Sequence, residues 1–199
     1  DYRQGNSYRI IYIHVPAAVV SLAGYYVMAL AGAISLIWRI KMADIAMKAA
    51  APVGAVLTGI ALVTGAIWGK PTWGTWWVWD ARITSMLILF FLYLGVVALF
   101  EAYENKAAAA KACAVLSLVG TVNIPIIYKS VDWWYSLHQP ASIKFTGESA
   151  IDASMLYPLL LMIAAFYGLF ALVVMMNMRA ALIWHHRQSS WVRQWAGFE

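Results

Sequence analysis

The residues with the strongest chemical character form one short stretch, Trp73 to Arg82, which reads Trp-Gly-Thr-Trp-Trp-Val-Trp-Asp-Ala-Arg. Two interfacial tryptophans would be enough to moor a membrane helix, because the indole ring is amphipathic and lies at the headgroup level. The surplus of tryptophan, together with Trp68 just upstream, predicts a flat aromatic surface. Because Lys70, Asp80 and Arg82 rim that surface, it suits a large planar hydrophobic ligand that carries some charge.

Two histidines, His14 and His138, are each followed two residues later by a proline at a predicted membrane boundary. A neutral imidazole is a good ligand for iron, zinc or copper, although a single interfacial histidine more often only forms hydrogen bonds. Two histidines on opposite sides of a planar macrocycle, with tryptophans against it, describe a heme held through both axial positions. Simpler interpretations stay open for two neighbours, since Asp80 suits a helix cap and Arg82 a snorkelling cation.

Composition places this chain among membrane proteins. It is 63% hydrophobic and 12% charged, with a mean hydropathy of +0.71, whereas soluble domains average about 25% charged residues. The apolar residues occur in blocks of about 17 to 25, the length that carries a helix across a bilayer. We therefore expect an all-α polytopic membrane bundle that forms one domain over residues 1–199. The net charge of +5 fits lipid headgroups better than nucleic acid, and the lone Cys113 suits a packing role.

Five membrane spans are predicted from these blocks. They run from about Pro16 to Trp38, Pro52 to Trp68, Ile83 to Phe100, Ala112 to Tyr128 with a kink at Pro125, and Met155 to Met176. The tryptophan stretch at residues 68–82 and a second aromatic loop at residues 129–154 connect spans, and residues 179–199 form a tail. Gly24, Met28 and Gly32 share a helix face suited to close packing, and Gly65 and Gly69 form a GxxxG pattern that we also assign to packing.

Span parity predicts which of these residues share a side of the membrane. Two spans separate His14 from the tryptophan stretch and two more separate that stretch from His138, so all three lie on one side. His185 and His186 then lie on the other side, together with the two short charged connections from Arg39 to Lys48 and from Glu101 to Lys111. That side carries eight Lys and Arg residues against six, and the positive-inside bias therefore places the tryptophans outside the cytoplasm.

The stretch from Trp73 to Arg82 resembles the tryptophan-rich WWD signature of the heme-handling membrane protein superfamily. Nearly the whole chain is similar to one family within it, cytochrome c maturation protein C, also called heme exporter protein C. The matching segments include residues 5–12, 14–18, 68–71 and 122–127. That family has six spans, so its first span is expected to be absent from this sequence.

The resemblance implies a bacterial inner-membrane protein that holds b-type heme at its periplasmic face. The family's two axial histidines fall on His14 and His138. Its signature residues fall on Trp73, Trp76, Trp77, Trp79, Asp80 and Arg82. The partners it implies are a periplasmic heme chaperone, cytochrome c maturation protein E, the ATP-binding-cassette pair, cytochrome c maturation proteins A and B, and the small cytochrome c maturation protein D, besides membrane lipid.

We expect the chain to orient heme rather than to act as an enzyme. Trp68 and the signature indoles would cover the porphyrin, while Arg82, Arg9 and Lys129 would neutralise its propionates through charge-assisted hydrogen bonds. One alternative is a heme lyase that attaches heme directly to apocytochrome c. Another is a structural subunit whose aromatic loops only dock a neighbour.

Overall fold

A computed structural model describes residues 4–138 and 151–196 of this chain, and these residues are almost entirely helical. A short 3₁₀ helix, Gly5–Ile10, leads into α1. The α-helices are α1 (Ile11–Trp38), α2 (Lys41–Trp73), α3 (Ala81–Ala102), α4 (Lys106–Gly120), α5 (Asn123–Trp133), α6 (Ala153–His185) and α7 (Ser190–Ala196). The prediction of an all-α bundle is confirmed.

Five segments of the described chain are long and apolar enough to cross a membrane, as the sequence predicted. They are Gly5–Trp38, Lys41–Trp73, Ala81–Ala102, Lys106–Trp133 and Ala153–His185. α1 packs against α2, α4 and α6, and α3 packs against α2, α4 and α5. The beginnings of α1, α3 and α6 and the ends of α2 and α5 therefore lie together. We call this end of the bundle the histidine end.

Several predicted boundaries were wrong, because the helices continue beyond their most apolar part. α1 begins at Ile11, so His14 lies inside the helix instead of before it, and Pro16 lies in its second turn instead of at its start. α2 begins at Lys41 and contains both Pro52 and Pro71, so Pro52 does not open this span. α6 continues to His185 through residues assigned to the tail. Helix likewise covers parts of the predicted connections at residues 68–82 and 129–154.

The fourth span is broken into α4 and α5. The break falls at Thr121 and Val122, one helical turn before the predicted kink at Pro125. Proline has no backbone N–H, so the helical donor to the Thr121 carbonyl is missing. The Ile124 N–H donates to that carbonyl instead, at 3.1 Å. Asn123 then ties the start of α5 to α3 by donating its amide to the Ser85 carbonyl at 2.8 Å.

The core depends on glycines that admit large rings. The Tyr93 hydroxyl donates to the Ser21 carbonyl at 2.7 Å, and a Cβ at Gly54 would overlap the Tyr93 ring. The small face predicted on α1 is also used, since Gly24 contacts the Phe170 ring and Gly32 the backbone of Ala114. Small residues thus let α1 approach α4 and α6 closely, and let α2 approach α3, as is common for membrane helices. Cys113, in contrast, is simply a fully buried packing residue.

Candidate functional site

The connection between α2 and α3 is built by the signature residues themselves. Gly74 ends α2 with φ of 79° and donates its N–H to the Lys70 carbonyl at 3.1 Å. Glycine suits this left-handed helix cap because it has no Cβ. Asp80 begins α3 by accepting the Ile83 N–H at 2.8 Å. The glycine and the aspartate therefore define the two ends of a short loop that presents Trp76, Trp77 and Trp79.

His14 lies in a cradle formed by the last turns of α2. Its Nδ1 is 2.9 Å from the Ala61 carbonyl oxygen and 3.1 Å from the Thr64 Oγ1. The Trp68 indole meets the imidazole edge to face, with ring centroids 5.8 Å apart. A Cβ at Gly65 would lie 2.9 Å from the His14 Cε1. The ring is thus held from several sides by one helix.

Trp68 is itself held in place by the segment before α1. Its Nε1 donates to the Gln4 Oε1 at 2.9 Å. The Tyr8 ring packs edge to face against the indole at a centroid distance of 5.9 Å. The indole that contacts His14 is therefore fixed at both its nitrogen and its face.

His138 lies just beyond α5, against the tryptophan stretch. The Trp73 ring packs at an angle against the imidazole, with centroids 4.8 Å apart. The His138 Nδ1 is 3.5 Å from the Asp80 Oδ2, too long for a strong hydrogen bond and within range of an electrostatic interaction. Burial lowers the pKa of His138 from its ordinary value of 6.5, and although the Asp80 carboxylate raises it, the net shift is downward. The imidazole is therefore neutral near pH 7.

Asp80 is a helix cap, as one of its two interpretations held, and it also contacts the segment that carries His138. One carboxylate oxygen caps α3, and the other accepts the Ser136 hydroxyl and faces His138. The Ser136 Oγ also accepts the His138 backbone N–H at 3.1 Å. The carboxylate is 5% exposed, so its negative charge acts on the imidazole with little screening by water.

Arg82 crosses from α3 to α5. Its guanidinium donates to the Tyr128 carbonyl at 3.1 Å and to the Ser130 hydroxyl at 3.3 Å. Arg82 lies within electrostatic range of both His14 and His138, and the two imidazoles are within range of each other. The two histidines and the Arg82 guanidinium therefore lie near one another at the histidine end.

The remaining predicted residues differ in how far they are covered. Trp76 and Trp79 are 57% and 74% exposed, and Trp77 packs against Trp79 with ring centroids 5.4 Å apart. The Trp77 Nε1 is buried without a hydrogen-bond partner among the described residues. Arg9 is exposed on the 3₁₀ helix. Lys129 is on α5, where it pairs with Asp132 at 3.1 Å.

Sequence reasoning did not predict a function for Thr64, Gly65 or Ser136, which lie beside the histidines or Asp80. Thr64 and Ser136 contact the histidines or Asp80 through hydroxyl groups, and Gly65 leaves space for the imidazole. Threonine and serine are common in membrane helices, so residue type alone does not single them out. The one available signal was the GxxxG pattern, which we assigned to helix packing.

This fold and site define a class of protein: a multi-pass helical membrane protein with two histidines and several indoles at one end of its bundle. A family model described as heme exporter protein C matches residues 1–193. Heme exporter protein C of Escherichia coli K12 is 50% identical over 194 residues, which cover 98% of this chain and 78% of the relative. The chain belongs to the heme exporter protein C family.

Other relatives extend the same comparison. Heme exporter protein C of Bradyrhizobium diazoefficiens is 51% identical over 183 residues, covering 92% of this chain and 70% of the relative. A ccmC-like mitochondrial protein of cytochrome c biosynthesis from Marchantia polymorpha is 45% identical over 183 residues, covering 92% of this chain and 77% of the relative. The similarity thus extends across bacteria and a plant mitochondrial protein.

Proposed function

We propose that this chain binds heme in cytochrome c biogenesis, with His14 and His138 as the two axial ligands. The observation that carries this proposal is the convergence of the two imidazoles at one end of the bundle. Each imidazole packs against an indole and lies within electrostatic range of Arg82. Membership of the heme exporter protein C family supplies the identity of the cargo.

The chemistry of the surrounding groups fits a heme. The exposed rings of Trp76 and Trp79 offer apolar surface, and covering a large side chain contributes about 1.5 to 3 kcal/mol. The Trp77 indole N–H is a buried donor with no acceptor among the described residues, and a heme propionate would supply one. Buried donors are rarely left unpaired, because desolvation without a partner costs about 1 to 3 kcal/mol.

The charged residues divide into two kinds in this proposal. Arg82 is committed to Tyr128 and Ser130 at two of its nitrogens and favours a propionate mainly through its charge. Arg9 and Lys129 are exposed, so they would meet a propionate near the surface of the bundle. Lys129 would have to exchange its Asp132 partner to do so. An exposed ion pair of this kind is worth only about 0 to 1 kcal/mol.

In this function the chain positions its cargo and supplies no catalytic group. The histidine end would face the periplasm of a bacterial inner membrane, following the distribution of Lys and Arg. There the chain would present heme to the periplasmic chaperone, cytochrome c maturation protein E. The ATP-binding-cassette pair, cytochrome c maturation proteins A and B, and the small cytochrome c maturation protein D would complete the assembly, and coupling to ATP would come from that pair. The chaperone's own nucleophile would form the covalent bond to heme, and holding heme in one orientation lowers the entropic cost of that step.

The test is to purify the protein with the chaperone and record the heme spectrum of histidine variants. We expect a low-spin bis-histidine spectrum for the parent and its loss in His14→Ala, His138→Ala and the double variant. His185→Ala is the matched control, because this histidine lies at the opposite end of α6. A parent-like low-spin spectrum in the double variant would refute the ligand assignment. A parent that purifies without heme would favour the docking-subunit alternative.

A further inference from the structure

The hydrogen-bond partners of His14 determine which of its nitrogens carries the proton. The Nδ1 is 2.9 Å from the Ala61 carbonyl oxygen, which can only accept a hydrogen bond. Nδ1 must therefore be the protonated nitrogen. The opposite tautomer would press two lone pairs together at that distance. In the neutral ring, the lone pair is then on Nε2.

Thr64 supports the same assignment from an independent contact. Its hydroxyl donates to the Ile60 carbonyl at 2.6 Å, one turn earlier in α2. Because that hydrogen is committed, the Thr64 oxygen acts toward His14 as an acceptor, at 3.1 Å from Nδ1. The Nδ1–H is thus shared between the Ala61 carbonyl and the Thr64 hydroxyl. Two fixed acceptors also define the rotation of the ring, since turning it over would place a carbon against both.

We infer that Thr64 is a positioning residue that, with the Ala61 carbonyl, holds His14 in the Nδ1–H tautomer and offers Nε2 to the iron of the bound heme. This inference deepens the proposed function and rests on it, since it concerns how one of the two ligands is set. Groups that hydrogen-bond the far nitrogen of a metal-binding histidine fix its tautomer and raise its basicity. Thr64 would therefore strengthen heme binding without touching heme.

The first experiment reads the tautomer without heme. Nitrogen NMR of heme-free protein labelled with ¹⁵N in its histidine rings distinguishes a protonated from an unprotonated ring nitrogen, and His14→Gln identifies the His14 signals. We expect Nδ1 protonated and Nε2 unprotonated near pH 7 in the parent and in Thr64→Ser. In Thr64→Val, which keeps the shape and removes one of the two acceptors, the Ala61 carbonyl should keep the proton on Nδ1, and the Nδ1 signal should shift or broaden because the ring is held by one contact instead of two. A parent that carries the proton on Nε2 overturns the inference.

The second experiment measures heme dissociation from the loaded protein into an excess of a heme-scavenging apoprotein. Loss of such a supporting contact typically costs 10- to 100-fold in metal affinity. The Ala61 carbonyl remains in Thr64→Val, so we expect dissociation to accelerate about tenfold, the lower end of that range. Thr64→Ser should behave as the parent.

The matched control is Thr58→Val, because Thr58 is a buried threonine on the same helix whose hydroxyl donates to the Gly54 carbonyl at 2.7 Å. A parent-like rate in Thr64→Val, or an equal acceleration in Thr58→Val, overturns the inference. If His14→Gln keeps its heme and its low-spin spectrum, the proposed ligand assignment fails instead. The NMR result still decides the tautomer in that case, so the two failures are distinguishable.

Discussion

Replacing Asp80 by asparagine separates the two roles of this carboxylate. Asparagine and aspartate are equally good helix caps, so Asp80→Asn should still accept the Ile83 N–H and keep α3 intact. It removes the negative charge that lies 3.5 Å from the His138 Nδ1, and it puts an amide donor opposite Ser136, whose hydroxyl oxygen can accept in place of donating. The stability of the heme-free protein should therefore stay nearly unchanged, whereas the affinity of the protein for heme should fall.

The size of the effect follows from the geometry. A full positive charge 3.5 Å from the carboxylate would interact with it by about 1 kcal/mol in water and about 5 kcal/mol at an effective dielectric constant of 20. An iron-bound imidazole carries part of such a charge. We expect a loss of about 1.4 to 2.7 kcal/mol, which is a 10- to 100-fold faster dissociation of heme.

The assay is heme transfer to a scavenging apoprotein, read beside thermal unfolding in detergent. Asp80→Ala loses cap and charge together, and should unfold about 1 kcal/mol more easily as well as release heme faster. The cap control is Asn105→Ala at the opposite end of the bundle, because Asn105 accepts the N–H groups of Ala107 and Ala108. Asn105→Ala should lower the stability of the protein and leave the rate of heme dissociation unchanged. Parent-like heme dissociation in Asp80→Asn would show that the carboxylate is only a cap, and the reasoning would be wrong.

Two further predictions concern the histidines. In Gly65→Ala the new Cβ would lie 2.9 Å from the His14 Cε1, so the imidazole must move and the heme spectrum and dissociation rate should change. Gly59→Ala is the control, since its Cβ would meet the Phe90 ring at an ordinary 3.5 Å. Equal changes in the heme spectrum and dissociation rate of both variants would contradict the role of Gly65 in placing His14. Burial lowers the pKa of His138 from 6.5, so the unfolded chain takes up this proton at a higher pH than the folded one. Its contribution to the free energy of unfolding is full above pH 6.5 and is lost as the pH falls through the lower folded pKa. Thermal unfolding of heme-free protein from about pH 8 to about pH 5 should show a smaller decline in His138→Gln than in the parent, and identical slopes would oppose this account.

The number of spans was predictable because hydropathy reports the thickness of the bilayer. The ends of the helices were not, since Lys41 and Lys48 were interpreted as a connection although they lie on α2. Charged residues are tolerated where a helix extends past the hydrocarbon layer. Proline was likewise ambiguous, because Pro52 lies inside α2 while Pro125 accompanies a break one turn earlier.

Part of the site could be predicted from span parity, whereas the rest depends on local packing. Parity brought His14, the tryptophan stretch and His138 to one end from hydropathy alone. The partners of each imidazole depend instead on the rotation of neighbouring helices about their axes. Thr64 faces His14 because of how α1 lies on α2, and no residue pattern encodes that rotation. The roles of Arg9 and Lys129 stay predictions that binding experiments must test.

The two imidazoles are anchored to different parts of the bundle. His14 on α1 is fixed by α2, whereas His138 follows α5, which is tied to α3 through Asn123 and Arg82. The distance between the two imidazoles is therefore set where the two helix pairs meet, in part by Tyr93, which packs against Gly54 in the core of the bundle. A substitution at this contact, far from either histidine, should therefore change the distance between the His14 and His138 imidazoles.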